Sequence, residues 1–269
     1  MKVSAYASTH VGTVREINED FYLLEPELNL YLVCDGMGGH AAGEVASSQA
    51  GGFVLRYLKT HQPDITYCHS TGDATRLEQL IVQAVKYACI ELNDLSLHDL
   101  PLAGMGTTLT LAMLVDERAV MAHVGDSQLY QVRGNQIFLR SHDHTLAAEL
   151  LATGVFEDPH QVKDFQHVLT RSLGPTSEVE VETCILDLSV GDTLLLCTDG
   201  LSHSIACKEE LLCILEHGAN QATADSLIDL AIARGGKDNV TVIVLQLSEP
   251  TFAPPLEEQY RGAAISNPH

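Results

Sequence analysis

The chain has 269 residues, 45% of them apolar, and its 36 Asp and Glu against 15 Lys and Arg give a net charge of −21. That length allows a sizeable core in one large domain or two small ones. So acidic a surface disfavours nucleic acid and anionic membrane, and it repels phosphorylated substrates unless bound cations reverse the sign locally. The opening residues MKVSAYASTH lack an apolar signal core, and no apolar run approaches a membrane span. The seven cysteines are scattered and form no CxxC pair, which points to a reducing, cytoplasmic setting rather than a disulfide framework or zinc knuckle.

In chain order, β-prone runs predict strands over 3–8, 22–24 and 28–34. A helix follows over 43–61 despite the glycines at 51 and 52, then a loop over 63–72. Leu77, Leu80, Ile81, Ala84, Val85, Ala88 and Leu92 recur at helical spacing. Residues 101–106 form a glycine-punctuated loop. Short strands are expected over 107–115, 119–124, 128–132 and 136–139, with hairpin signals at 116–118 and 134–135. A short helix over 146–152 has Thr145 as N-cap and Gly154 beyond its end. Residues 155–166 read as a surface excursion. Further strands are expected over 179–186, 193–197 and 240–247, and the last two bracket helices over 209–217 and 223–234. This order gives an α+β fold with mostly antiparallel sheets. No internal linker stands out, so 1–248 reads as one domain, and the proline-containing 249–269 as a flexible tail.

Two apolar runs, Leu30–Cys34 and Leu194–Cys197, stop at Asp35-Gly36 and, after Thr198, at Asp199-Gly200. Cys34 and Cys197 read as small buried strand residues. Acids also border apolar runs at Glu19-Asp20, Gly125-Asp126 and Asp238-Asn239. Taken singly, Asp-Gly at a strand end is ordinary turn chemistry. If the five sites converge, carboxylates about 4 Å apart repel by roughly 4 kcal/mol at an effective dielectric near 20. Such a cluster needs protons or cations. No histidine or cysteine sits at a comparable strand end, so the donor set is expected to be oxygen only, suiting Mg²⁺ or Mn²⁺. Paired cations of this kind commonly serve water attack on phosphorus.

Seven motifs then occur in order: R-x-x-N-E-D from Arg15, D-G-M-G-G-H from Asp35, G-M-G-T-T from Gly104, V-G-D-S from Val124, L-T-R-S-L-G from Leu169, G-D-x-L-L-L-C-T-D-G-L from Gly191, and D-N-V-T from Asp238. Together they resemble the metal-dependent protein phosphatases, the type 2C serine/threonine phosphatases in their compact bacterial form. The resemblance runs over nearly the whole chain, 3–247. It implies a sandwich of two antiparallel β-sheets between helix layers, with metals in a cleft at one end.

The resemblance further implies hydrolysis of phosphoserine and phosphothreonine by a hydroxide bridging two tightly bound Mg²⁺ or Mn²⁺ ions, with a weaker third ion. Carried onto this chain, Asp35 bridges both ions, Asp199 and Asp238 complete one, and the Gly36 carbonyl binds the other. Asp20 and Glu19 act through waters, and Asp126 with Asp199 holds the third ion. Arg15 grips the phosphate; outside its motif it would read as a surface ion pair. His40 is a candidate general acid, with packing in its loop as the equal alternative and a metal-bound water as the other acid. Met37 stands where some relatives have histidine. His142 and His144, in SHDHT, read as a polar loop before a helix rather than a metal pair. The implied partner is a phosphorylated protein, a target of a bacterial-type kinase, and the implied state a monomer. The alternatives are a catalytically silent module of the same fold, which would be expected to lack the acids, and a hydrolase of small phosphoesters.

Overall fold

The computed structural model describes residues 1–38, 41–156, 158–205, 207–216 and 218–249. His40 and residues 250–269 of the expected tail therefore lie outside the described residues. The strands are β1 Lys2–His10, β2 Asp20–Glu25, β3 Leu30–Met37, β4 Gly106–Thr107, β5 Leu109–Val115, β6 Arg118–Val124, β7 Gln128–Arg133, β8 Gln136–Leu139, β9 Glu182–Asp187, β10 Thr193–Cys197 and β11 Val240–Ser248. The helices are α1 Ala41–Thr60, α2 Gln62–Thr71, α3 Ala74–His98, α4 Leu146–Ala152, α5 Asp199–Ser202, α6 Lys208–Leu215 and α7 Gln221–Ala233.

Two sheets form, ordered β1-β11-β10-β7-β8 and β2-β3-β5-β6-β9, with β4 added beside β3. The pairings between these strands are antiparallel. The apolar runs are continuous because both faces of each sheet are covered. Along β10, Leu194 and Leu196 enter the core between the sheets, while Leu195 and Cys197 face the core beneath α6 and α7. Along β3, Tyr31 and Val33 face the other sheet, while Leu30, Leu32 and Cys34 pack under α1 and α3. The period of two thus sorts each strand between two cores, in a helix–sheet–sheet–helix stack. Asp73 caps α3 by accepting from Arg76 N, and Leu77, Ile81, Ala84, Val85, Ala88 and Leu92 are buried as their spacing predicts. The first and last strands pair along their whole length, Lys2 opposite Ser248 through His10 opposite Val240.

Some elements differ from the sequence reading. Residues 63–72 are mostly helix, not loop: Pro63 occupies the helix start, where its missing N–H costs nothing, Ile65 and Cys68 are buried, and Gly72 ends the helix in a left-handed conformation. The strand expected from 179 begins at Glu182, where pairing with β6 starts. The short α5 and β4 carry too few residues to show a period. Gly51 is tolerated inside α1 because a Cβ there would come within 2.5 Å of the Phe21 ring.

Candidate active site

Strand register brings the acids to one end of the sandwich. Cys197 lies opposite both Val242 and Gln128, so Asp199, Asp238 and Asp126 are all at the same edge. In the other sheet Asp20 pairs directly with Asp35. The edge opens into a cleft of about 940 Å³ lined by Arg15, Glu19, Asp35, Gly36, Asp126, Asp199 and Asp238. Of the residues expected at the site, Asp20 sits just behind this lining, and His40 falls outside the described residues.

The glycines of the acid motifs are there for close approach. A Cβ on Gly36 would lie 2.1 Å from the Gly43 carbonyl, and one on Gly200 would lie 2.0 Å from the Asn239 carbonyl. Neither needs a left-handed backbone, so the turn reading is replaced by backbone-on-backbone packing. Gly125 needs both: its φ is +110°, and a Cβ would meet Thr108 at 2.5 Å.

Behind the acids is a floor of hydrogen bonds whose members stood inside the sequence motifs but were given no role there. Asp35 N donates to Thr108 Oγ1 at 2.9 Å, and that hydroxyl pairs with Ser127 Oγ at 2.8 Å. Thr107 Oγ1 donates to the Asp35 carbonyl at 2.9 Å. Thr198 Oγ1 donates to Asp20 Oδ2 at 2.8 Å and accepts from Thr241 N. Asn239 accepts from Glu19 N and donates to the carbonyls of Val11 and Ile17, pinning the loop that carries Arg15. The D-N-V-T pattern was the available signal: a buried Asn beside an acid must find partners.

The SHDHT stretch is a loop before α4, as read, but its histidines are engaged. Gly125 N donates to His144 Nδ1 at 3.1 Å and His144 N donates to the Gly125 carbonyl at 2.7 Å. His144 Nε2 donates in turn to Glu182 at 3.1 Å, and His142 Nδ1 is 2.9 Å from the same carboxylate. Burial alone would raise Glu182, but these two histidines outweigh it and bring its pKa to about 2.

Crowding shows in the acids themselves. Burial and the charges of Asp20, Asp199, Asp126 and Asp238 hold Asp35 well above the usual carboxylate range. Burial, with neighbouring acids, raises Asp20 to about 7 despite its threonine hydrogen bonds. Asp126 is raised to about 7 by burial and by Asp199 and Asp143. Asp199 is the exception: burial pushes it up, and His203 Nδ1, 3.4 Å from Oδ2, pulls it back below its ordinary value. Arg15 Nη2 is 2.8 Å from Asp238 Oδ2, and both side chains are partly exposed.

This arrangement fits divalent cations. Asp20 Oδ1 and Asp199 Oδ1 are buried without a hydrogen-bond partner, the state expected of oxygens shaped to receive a cation. The raised acids lack the counter-charge that a cation would bring.

A family model described as protein phosphatase 2C matches residues 13–232. A serine/threonine phosphatase of Listeria monocytogenes is 32% identical over 242 residues, covering 88% of this chain and 93% of that protein. The crystal structure of the Mycobacterium tuberculosis serine/threonine phosphatase PstP/Ppp is 32% identical with a TM-score of 0.79, covering 92% of this chain and 99% of that one. A structure of the PstP catalytic domain in complex with two manganese ions matches equally, with 32% identity and a TM-score of 0.79 over 92% of this chain and 99% of that one. With the seven motifs in order and the acids gathered at one edge of a helix–sheet–sheet–helix stack, the chain belongs to the protein phosphatase 2C family.

Proposed function

We propose that this cleft hydrolyses phosphoserine and phosphothreonine in proteins, with Asp35, Asp199, Asp238 and the Gly36 carbonyl holding two divalent cations, Asp20 and Glu19 acting through waters, and Asp126 serving a weaker third. The observation that carries the reading is the convergence of these acids with buried, partnerless oxygens on Asp20 and Asp199. Manganese in the PstP structure supports Mn²⁺ or Mg²⁺ here. When bound, such cations offset phosphoryl charge and acidify water.

The chain's own groups do the rest. Thr107 and Thr108 fix the Asp35 backbone, so its carboxylate is aimed before any ligand arrives. Arg15 stands at the mouth, half exposed and tethered to Asp238. Its guanidinium can turn to grip a phosphate through two N–H groups. His40 remains a candidate proton donor to the leaving serine or threonine oxygen.

We read 1–248 as one catalytic domain, a view supported by the full-length pairing of β1 with β11. No disulfide joins the cysteines among the described residues, which favours a reducing cytoplasm. A monomer acting on targets of a bacterial-type kinase is the accompanying expectation. The test is release of phosphate from a phosphothreonine peptide by chelator-treated protein, with and without added Mn²⁺. Activity that appears with Mn²⁺ and vanishes on chelation supports the reading. A folded protein inactive at all Mn²⁺ concentrations overturns it in favour of a silent module.

A further inference from the structure

The sequence suggested an oxygen-only donor set, yet folding brings two imidazoles to one of the acids. His203 follows Asp199 by one helical turn, and its Nδ1 lies 3.4 Å from Asp199 Oδ2. His167 arrives from the loop after the Pro159–Phe165 turn, lines the cleft, and packs edge-on against His203 with ring centroids 5.1 Å apart. The three donor atoms lie within 4.8 Å of one another.

We propose that His167, Asp199 and His203 form a rim site for one borderline divalent cation such as Zn²⁺, chemically distinct from the oxygen cluster beneath it. Two imidazoles and one carboxylate are a donor set used for zinc with a fourth position left to water. The set discriminates against Mg²⁺, which takes oxygen ligands. Zn–N bonds of about 2.0–2.1 Å put tetrahedral donors about 3.3 Å apart. Asp199 and His203 already stand at that spacing, so only the exposed His167 has to swing inward. Asp199 can serve both places, because Oδ2 faces His203 while the buried Oδ1 has no hydrogen-bond partner.

The other histidine cluster shows the contrast. In His123, His144 and Glu182 the ring nitrogens are already committed, His123 to Thr110 and the His142 carbonyl, His144 to Gly125 and Glu182. That group is a structural strut. His167, by comparison, is exposed and has no hydrogen-bond partner among the described residues.

The rim site has a mechanical consequence. His167 sits at the base of the excursion after α4, where Leu146 N holds the Val168 carbonyl at 2.8 Å. A cation joining His167 to Asp199 and His203 ties that base to the start of α5. Slower entry of a phosphoprotein would follow, a consequence that alone rests on the phosphatase reading.

The experiment is Zn²⁺ titration of the full chain by calorimetry, with hydrogen exchange of the 155–168 segment recorded with and without Zn²⁺. The wild type, His167→Ala, His203→Ala, Asp35→Asn and Cys207→Ser proteins are compared. Each histidine variant is expected to weaken one Zn²⁺ equivalent by at least about tenfold, since even a partner of a ligand is commonly worth that much. Asp35→Asn is expected to keep this equivalent, and Zn²⁺ to slow exchange in 155–168 only when both histidines are present. Equal Zn²⁺ binding by wild type and both histidine variants overturns the proposal, as does loss of the equivalent in Asp35→Asn or in Cys207→Ser alone. Failure of Mn²⁺-dependent turnover would refute the phosphatase reading while leaving this Zn²⁺ count untouched.

Discussion

Asp126 is the sharpest place to test the acid cluster. Its side chain is buried, and that burial, with the charges of Asp199 and Asp143, raises its pKa from 3.8 to about 7. A raised carboxylate penalises the folded state only where it must ionise. In metal-free protein the penalty is absent below pH 3.8, grows as the unfolded chain ionises first, and is complete once pH passes about 7. A shift of about three units corresponds to roughly 4 kcal/mol at most, at about 1.4 kcal/mol per unit. Asp126→Asn removes the charge at nearly constant shape. In EDTA at pH 8 it is therefore expected to raise stability by roughly 2–4 kcal/mol, or about 4–8 °C in Tm for a domain of this size. At pH 4 the two proteins should melt together. With saturating Mn²⁺ the order should reverse, because the wild type binds a third ion that the variant holds poorly. The assay is thermal unfolding across pH 4–8 in EDTA and in Mn²⁺, with metal content by calorimetry. A variant no more stable than wild type at pH 8 in EDTA refutes the crowding argument. Loss of the two tight ions as well would move Asp126 into the main site.

Four further outcomes follow from the same geometry. Asp35→Asn should abolish turnover in a folded protein, and near-normal phosphopeptide hydrolysis at ordinary Mn²⁺ would sink the two-cation reading. Arg15→Ala should lower kcat/KM by about tenfold to a hundredfold, the loss of one charge-assisted phosphate contact worth roughly 1.5–3 kcal/mol, and should weaken inhibition by free phosphate; an unchanged phosphate inhibition constant contradicts the role. Asn239→Ala strands three backbone partners at Val11, Ile17 and Glu19 and should cost about 2–4 kcal/mol by urea unfolding, with a loss below 1 kcal/mol ruling out the pinning role. Glu182 has its pKa lowered from 4.5 to about 2, so its contribution, roughly 1–3 kcal/mol, is present above pH 4.5 and lost as pH falls toward 2; the advantage of wild type over Glu182→Gln in urea midpoint should shrink between pH 6 and pH 3, and a constant gap would exclude it.

The long elements were legible because burial leaves a period. The apolar runs at 30–34 and 193–197 read as buried strands, and the spacing from Leu77 to Leu92 read as helix. The helix Gln62–Thr71 escaped because only Ile65 and Cys68 are buried and Pro63 resembles a loop signal. At the site, acids next to glycine were visible because two unusual residues coincide. The supports were visible only as motif letters: Thr107, Thr108, Thr198 and Ser127 acquire a role only when register sets them behind an acid. His167 and His203 likewise acquire a role only in the fold. Their relation to Asp199 depends on where the excursion after α4 returns, which no local pattern encodes.

The supports share one property that explains how a crowded acid cluster stays assembled. They hold the acids largely by the main chain, and Asp20 Oδ1 and Asp199 Oδ1 stay buried without a hydrogen-bond partner. Asp35 is fixed through its N–H and its carbonyl. Asp20 N donates to Asn18, and Glu19 N to Asn239. The turn before Asp126 is clamped at both polar atoms of Gly125 by His144. Backbone anchoring of this kind positions charge without neutralising it, so the repulsion among the acids remains available to be offset by a cation. Neutralising partners would relieve that repulsion and would equally block the ligand positions. Among the described residues Arg15 on Asp238 and His203 on Asp199 are the charged exceptions, and both side chains are partly exposed, free to turn toward an arriving phosphate or ion. The division between a floor that fixes backbones and a rim that lends removable counter-charge is what lets one sequence fold around its acids and still keep them open for chemistry.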